Sequence, residues 1–371
     1  MWMILWSNYA NILLFLIPIA YAGRFLHWPP ELVLILNGLS MLPLSLLIAL
    51  ATEELSTKLG PTVSGVLNYS FGNAGTVIIS CVLLKRGEIL VVQTSLLGAI
   101  VFNLLAVMGC QYLASGIRRS KALFNETIAS VNGSVLLLPA ANIALPAILR
   151  QVQGERSVVL VSRQLAITSI VTYLALLFFQ FRSHAKLYDS YSMDGEGEEE
   201  EEEEVKEPEL LLPPAAFVLL ATATAALAAA SEFFVDTLDD VTAHHGISRT
   251  FIGFIFLPLV SNAVSHLTEI GDAWRNKLDK ASVMAIGCSI QIAMFIIPLT
   301  ILVGWAIQQD MTLNFDVFLN ASAFIAVLLL NSVTQHGKSN FMEGMLLLNC
   351  YLGIAASASC YPAGAGDGQG K

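Results

Sequence analysis

The chain is expected to be an all-α polytopic membrane protein of about eleven transmembrane helices, duplicated around a polar site. Three observations lead there. Of 371 residues, 55% are hydrophobic and only 13% charged, whereas an ordinary soluble domain has about 25% charged residues. Apolar stretches of about 20 residues, the length that crosses a bilayer, recur along the chain. Two of them are interrupted by related polar clusters, Phe71-Gly72-Asn73-Ala74-Gly75-Thr76 and Val260-Ser261-Asn262-Ala263-Val264-Ser265-His266. Gly98 follows Asn73 by 25 residues, and Gly287 follows Asn262 by 25. A polar cluster repeated at one spacing suggests a duplicated transporter with its site where the repeats meet.

The first span is expected at 9–26 and contains Ala20-Tyr21-Ala22, a pattern that also suits signal-peptide cleavage. No positive charge precedes the apolar run and many spans follow, which favours a transmembrane helix. The second, 30–51, stops before Glu53 and Glu54. The third, 62–84, carries Asn68, Ser70, Asn73, Thr76 and Ser80. Gly72 and Gly75 flank Asn73 and allow close helix approach or a local break. The fourth, 92–115, holds Gln93, Thr94, Ser95, Gly98 and Asn103 and is expected to pack on the third. The fifth, 123–149, is interrupted by Asn125, Asn132, Pro139, Asn142 and Pro146, where a kink or split is expected.

The sixth span, 159–181, leads into a polar linker, 183–210, with seven consecutive glutamates from Glu198 to Glu204. Like charges in a row repel, so this segment is a solvated loop or a surface helix that attracts cations. The seventh, 211–235, ends near Glu232 and Asp236. The eighth, 250–273, carries Pro258, Ser261, Asn262, Ser265, His266, Thr268 and Glu269. The ninth, 281–307, holds Gly287, Cys288, Ser289 and Gln291 and is expected to pack on the eighth. The tenth and eleventh are placed at 314–332 and 341–361, and residues 362–371 form a short tail.

The net charge of −10 owes much to the glutamate run. Elsewhere the charge is close to balanced, which argues against a nucleic-acid partner. Cys81, Cys110, Cys288, Cys350 and Cys360 show no metal-ligand spacing, and four of them read as small thiols in or beside apolar stretches. No nucleophile–base pair, Walker motif or cofactor fingerprint stands out, so a transporter without a bound cofactor is expected rather than an enzyme. Of 19 Lys and Arg, 11 fall in the even-numbered connections. That bias places the N-terminus and the acidic linker in the cytosol. The sequons at Asn68, Asn125, Asn132 and Asn320 lie in spans or at cytosolic ends and carry no compartment information. The lipid bilayer and a transported cation are the implied partners; homo- and hetero-oligomers both stay open.

Polar groups inside a span are expensive and tend to face partners, water or substrate. Amide and hydroxyl oxygens suit hard cations, and a broken helix adds backbone carbonyls and dipole ends. The same residues also serve as interhelical hydrogen-bonding glue. One cluster alone would favour glue; two clusters at matching spacing favour an ion site. The candidates are Asn73, Thr76, Asn262, Ser265, His266 and Glu269, with Gly72, Ser95, Gly98, Asn103, Gly287, Ser289 and Gln291 in support. Asn73, Asn262 and Glu269 are the metal-ligand candidates.

Several longer motifs resemble the vacuolar calcium/proton exchangers (CAX type) of the calcium/cation antiporter superfamily. They include Ala51-Thr52-Glu53-Glu54-Leu55, Phe71-Gly72-Asn73-Ala74, Val92-Gln93-Thr94-Ser95-Leu96-Leu97-Gly98 and Gly246-Ile247-Ser248-Arg249-Thr250-Phe251-Ile252-Gly253. Asn262-Ala263, His266, Lys277-Leu278-Asp279, Pro298 and Val303-Gly304-Trp305 continue the match. Met311-Thr312-Leu313-Asn314-Phe315 and Ser339-Asn340-Phe341-Met342-Glu343-Gly344 extend it to the last spans. The resemblance implies an N-terminal helix, 1–28, and two inverted five-helix repeats of sodium/calcium-exchanger type, 29–182 and 211–361. It also implies proton-driven export of cytosolic Ca²⁺ into a vacuole, with Mn²⁺ or another cation as variants.

In that family each repeat motif reads Gly-Asn-Ala-x-Glu, and its glutamate binds Ca²⁺ and protons in alternation. Here Thr76 and Ser265 stand at the glutamate positions, Ser261 replaces the second Gly, and Ala99 and Cys288 stand where serines are usual. Thr and Ser supply oxygens but do not titrate in a useful range. Their neutrality also removes charge that offsets desolvation of a divalent ion. Glu269, one turn beyond Ser265, is the nearby acid that compensates on one side. A histidine's unperturbed pKa lies near physiological pH, so His266 can carry a proton or serve a structural role. Altered or weakened coupling is therefore expected, with a transport-incompetent regulatory paralogue or an exchanger for another cation as alternatives.

Overall fold

The computed structural model describes residues 13–56, 73–118, 122–123, 126–153, 155–184, 212–245, 247–335 and 338–361. Asn68, Ser70, Gly72 and the run Glu198–Glu204 lie outside the described residues.

Among the described residues the fold is all-helical apart from one short strand pair. Its helices are α1 (Leu16–Phe25), α2 (Pro30–Ser56) and α3 (Ala74–Lys85). Helix α4 runs through Ile89–Val101, a π-helical stretch Phe102–Val107 and Met108–Arg118. Helix α5 is Glu126–Gln153, and α6 is Glu155–Phe178 with a π-helical end, Phe179–Ser183. Helix α7 is Pro213–Asp236, followed after Thr237 by Leu238–His245. Helix α8 is Arg249–Phe251, a π-helical stretch Ile252–Phe256 and Leu257–Trp274. Helix α9 is Leu278–Gln291, a π-helical stretch Ile292–Ile296 and Ile297–Ala306. Helices α10 (Val317–Thr334) and α11 (Phe341–Ser359) complete the series.

Eight of these helices are long and apolar enough to cross a membrane. A ninth candidate is α8, bent by 69° between Arg249–Ala263 and Ser265–Trp274. Two shorter apolar helices, Leu13–Phe25 and Ala74–Lys85, stand where the first and third spans are expected. The fifth span is a single helix. Pro139 and Pro146 lie inside a continuous helix, α5, rather than splitting it. Neighbouring helices in a membrane tolerate such prolines, and here the Asn331 amide of α10 donates to the Gly133 carbonyl of α5 at 3.2 Å.

Large apolar side chains such as Phe25, Leu138, Ile148, Val171, Phe178, Phe217 and Leu352 face outward. Lipid rather than water is the solvent that makes such a surface stable. The hydrophobic windows of α4 and α9 are 83% and 72% buried, against 33% for α6 and α7 and 22% for α11. Helices α4 and α9 therefore form the centre. Helix α2 packs along α7, α3 touches α9, and α8 touches α4. Each half thus contributes a helix to the other half's centre.

The turns that deliver α3 into α4 and α8 into α9 have one construction. Gly87 has φ +80°, and Asn276, the residue 14 past Asn262 as Gly87 is past Asn73, has φ +72°. The next amide reaches back in both turns, Glu88 N to Leu83 O at 3.0 Å and Lys277 N to Asp272 O at 2.9 Å. This is a helix stop with a left-handed residue, for which Gly is cheapest and Asn next best. Strands β1 (Ala122–Leu123) and β2 (Lys338–Ser339) pair antiparallel, joining the α4–α5 and α10–α11 connections. Helix α11 starts on a capping box. Asn340 Oδ1 accepts from Glu343 N at 3.1 Å, and Glu343 Oε2 accepts from Asn340 N at 3.1 Å.

Ion pairs gather at the end that carries the α3–α4 and α7–α8 turns. Asp236 meets Arg24 at 3.3 Å and Arg86 at 3.4 Å, and Glu232 lies 4.0 Å from Arg86. Glu232 and Asp236 are helix-end charges with basic partners. Arg249 at the start of α8 bonds Glu88 at 3.0 Å and also Asp239. Arg249→Gln is expected to cost about 1 kcal/mol of stability. Thermal unfolding in detergent should show this difference shrinking as salt is raised, because these groups are partly exposed.

Candidate functional site

The two Asn clusters reach across the centre rather than into their own halves. Asn73 occupies the N-cap of α3 but makes no cap bond with its side chain. Its Nδ2 donates to Gln291 Oε1 of α9 at 2.7 Å and lies 3.0 Å from Cys288 Sγ. Cys288 Sγ returns a contact to Asn73 Oδ1 at 3.3 Å. Asn103 of α4 lies beside the same sulfur. A residue type that ordinarily caps its own helix is therefore committed to an interhelical contact.

The second cluster joins α8 to α3. Asn262 Nδ2 is 3.4 Å from Thr76 Oγ1 and 3.4 Å from Ser261 Oγ. These are long, weak hydrogen bonds. Ser261 Oγ in turn donates to the Pro258 carbonyl at 3.4 Å, back-bonding that favours helix bending. The bend of α8 falls between Ala263 and Ser265. Ser265 is exposed. With Ser261 and Asn262 it lines a cleft whose other walls include Ser45 of α2 and Gly75 of α3. A Cβ on Gly75 would lie 2.5 Å from Ser45 Oγ, so that glycine lets α2 and α3 approach.

His266 and Glu269 turn toward α4. His266 Nδ1 is 3.5 Å from Glu269 Oε2. Gln111 Nε2 donates to the same carboxylate oxygen at 3.4 Å and to the Ala281 carbonyl of α9 at 3.2 Å. His266 stacks edge-on against Phe102 with centroids 5.4 Å apart. Both ionisable groups are buried. Sequence reading overlooked Gln111, an isolated amide about two turns beyond Asn103, and Ser45, a hydroxyl in an otherwise apolar stretch of α2. A search for polar residues in every span would have found both. Gln111→Leu removes the donor that α4 offers Glu269 and, because that bond is long, is expected to cost about 1 kcal/mol. Thermal unfolding would measure it.

The supporting residues divide by role. Ser95 Oγ and Ser289 Oγ donate to carbonyls of their own helices, Val92 at 3.0 Å and Ala285 at 3.0 Å. Gln93 donates to the Thr312 carbonyl at 3.0 Å. Gly98 permits backbone contact between α4 and the π-helical stretch of α8, since a Cβ there would strike the Phe254 carbonyl. Gly287 is buried in α9. Among the described residues no group of three His, Cys, Asp or Glu gathers as a metal site. The seam is made of amides, hydroxyls and one thiol, with one carboxylate on its α4 side.

Polar contacts that cross between the halves, from α3 to α9, from α8 to α3 and from α8 to α4, define a multi-pass membrane transporter of duplicated design. A model of the sodium/calcium exchanger protein family matches residues 215–358. The vacuolar calcium ion transporter of Schizosaccharomyces pombe is 36% identical over 97% of this chain and 86% of its own. A Ca²⁺/H⁺ antiporter of Aphanothece halophytica is 34% identical over 94% of this chain and 96% of its own. The solved structure of native YfkE superposes with a TM-score of 0.80 at 29% identity, covering 95% of this chain and all of that one. The chain belongs to the sodium/calcium exchanger family, among its vacuolar and bacterial calcium/proton exchangers.

Proposed function

We propose that the protein is a proton-coupled cation antiporter, nominally exchanging Ca²⁺ for H⁺ and moving cytosolic Ca²⁺ into a vacuole. The cross-connection of the seams carries this reading. Asn73 bonds Gln291, and Asn262 reaches Thr76, so rearranging either half rebuilds both polar clusters together. That is the geometry alternating access uses. The relatives named as Ca²⁺/H⁺ antiporter and vacuolar calcium ion transporter support the choice of ions. The repeats are 29–182 and 211–361, the N-terminus is cytosolic, and coupling is weakened because Thr76 and Ser265 do not titrate usefully.

The test uses purified protein in sealed vesicles with an imposed proton gradient. Uptake of Ca²⁺ or Mn²⁺ that collapses with the gradient is expected. Folded protein that moves neither ion would overturn the proposal. The neutrality of Thr76 and Ser265 favours the second reading, a transport-incompetent paralogue with a regulatory role, and that result would be its signature.

A further inference from the structure

Cys288 of α9 lies in the seam, in contact with Asn73 of α3. Its sulfur lies 3.0 Å from Asn73 Nδ2 and 3.3 Å from Asn73 Oδ1. The Gln291 carbonyl oxygen holds the same Asn73 amide at 2.7 Å. Asn103 lies beside the same thiol. It is only 1% exposed, and neither its amide oxygen nor its nitrogen is otherwise satisfied. An uncompensated buried amide is costly, so this one is a donor set in waiting. Cys288 itself keeps part of its surface accessible, which a ligand needs in order to enter.

We infer that Cys288, Asn73 and Asn103 form a binding site for a soft divalent cation. The inference rests on the antiporter reading and names a substrate class for the same seam. Ca²⁺ takes six to eight oxygen ligands and favours carboxylates. Beside the sulfur this seam offers few oxygens, the neutral amides of Asn73 and Asn103, with the Glu269 carboxylate as the single nearby charge. A cation that accepts four ligands and prefers sulfur suits such a set better. The Sγ and Oδ1 atoms already converge, since one accepts the other's proton. As the sulfur–metal bond forms, the S–H bond breaks and its proton leaves to solvent. Asn73 Oδ1, freed from that proton, turns to the ion, and Asn103 supplies a further oxygen. Cys288 is then the specificity-determining residue of the seam.

The test is direct binding of Cd²⁺ to full-length protein in detergent, with no gradient imposed. The readouts are titration calorimetry and the ultraviolet sulfur-to-cadmium charge-transfer band. Wild type and a variant with Cys81, Cys110, Cys350 and Cys360 all changed to Ser should both show the band. Cys288→Ser should lose it, with affinity at least about tenfold weaker. Asn103→Ala should keep the band with weakened affinity. Cys288→Ala serves as a second variant if the first does not fold. An undiminished band in the folded Cys288 variants, or none in the protein retaining only Cys288, overturns the inference. Because binding needs no proton gradient, failed vesicle transport with intact Cd²⁺ binding rejects the antiporter reading alone. Ca²⁺ transport with no Cd²⁺ band rejects the soft-cation site alone.

Discussion

Thr76→Glu combined with Ser265→Glu is expected to raise proton-driven Ca²⁺ uptake roughly tenfold or more, a gain that needs only about 1.4 kcal/mol of tighter ion binding. The two positions flank Asn262. Thr76 is its hydrogen-bonding neighbour at 3.4 Å, and Ser265 lines the same cleft. Carboxylates there would provide negative charge and bidentate oxygens where Thr76 and Ser265 are neutral. They would also titrate, so a proton and a Ca²⁺ ion would compete for one group. Without Ca²⁺ the variant should be less stable than wild type, because a carboxylate replaces the buried Thr76. Added Ca²⁺ should raise its melting temperature progressively, as a ligand that binds only the folded state does. Wild type should show a much smaller Ca²⁺ shift. A folded double variant with no uptake and no Ca²⁺-dependent melting would mean that the defect lies in the scaffold rather than in the two side chains.

Gly98→Ala is expected to destabilise the protein by about 1–3 kcal/mol, with Gly271→Ala as a control that changes little or stabilises slightly. The added methyl at 98 would meet the backbone of Phe254, which cannot rotate away as a side chain can. Gly253 faces the same seam from α8, where a Cβ would strike Thr94 Oγ1. That neighbour is itself fixed by bonds to the Leu90 and Val91 carbonyls. At Gly271 nothing lies within 4 Å of an added Cβ, and a helix-interior Gly→Ala change normally gains about 0.5–1 kcal/mol. Thermal unfolding of both variants checks the contrast. Equal behaviour would remove Gly98 as the contact that sets the α4–α8 distance. Transport should fall with stability at 98 and not at 271.

Much of this was legible in the sequence, for identifiable reasons. Hydropathy located the long helices because lipid demands about 20 apolar residues whatever the tertiary packing. The equal Asn–Gly spacing signalled repetition, and the structure extends it to the matched left-handed residues Gly87 and Asn276. Pattern alone did not reveal who pairs with whom. The sequence placed Thr76 with Asn73 and Asn262 with Ser265, each along its own helix. In the structure Asn73 bonds Gln291 and Asn262 bonds Thr76. The π-helical stretches in α4, α8 and α9 were also invisible, since one extra residue per turn leaves composition unchanged. Pro139 and Pro146 suggested a kinked or split α5; packing against α6 and α10 keeps it one helix. Glu269 was anticipated as a relocated acid, but its partner Gln111 belongs to a helix 158 residues away in sequence.

The strand pair between Ala122–Leu123 and Lys338–Ser339, together with α2 lying along α7 and α11 along α4, gives the molecule a property of its connectivity rather than its chemistry. The halves are interlocked like clasped hands, and neither is completed by its own sequence. Continuity of the polypeptide through Glu198–Glu204 then serves mainly to keep the two in equal number and at high local concentration. Two separate chains, divided within that run and made in the same cell, should assemble into one working protein.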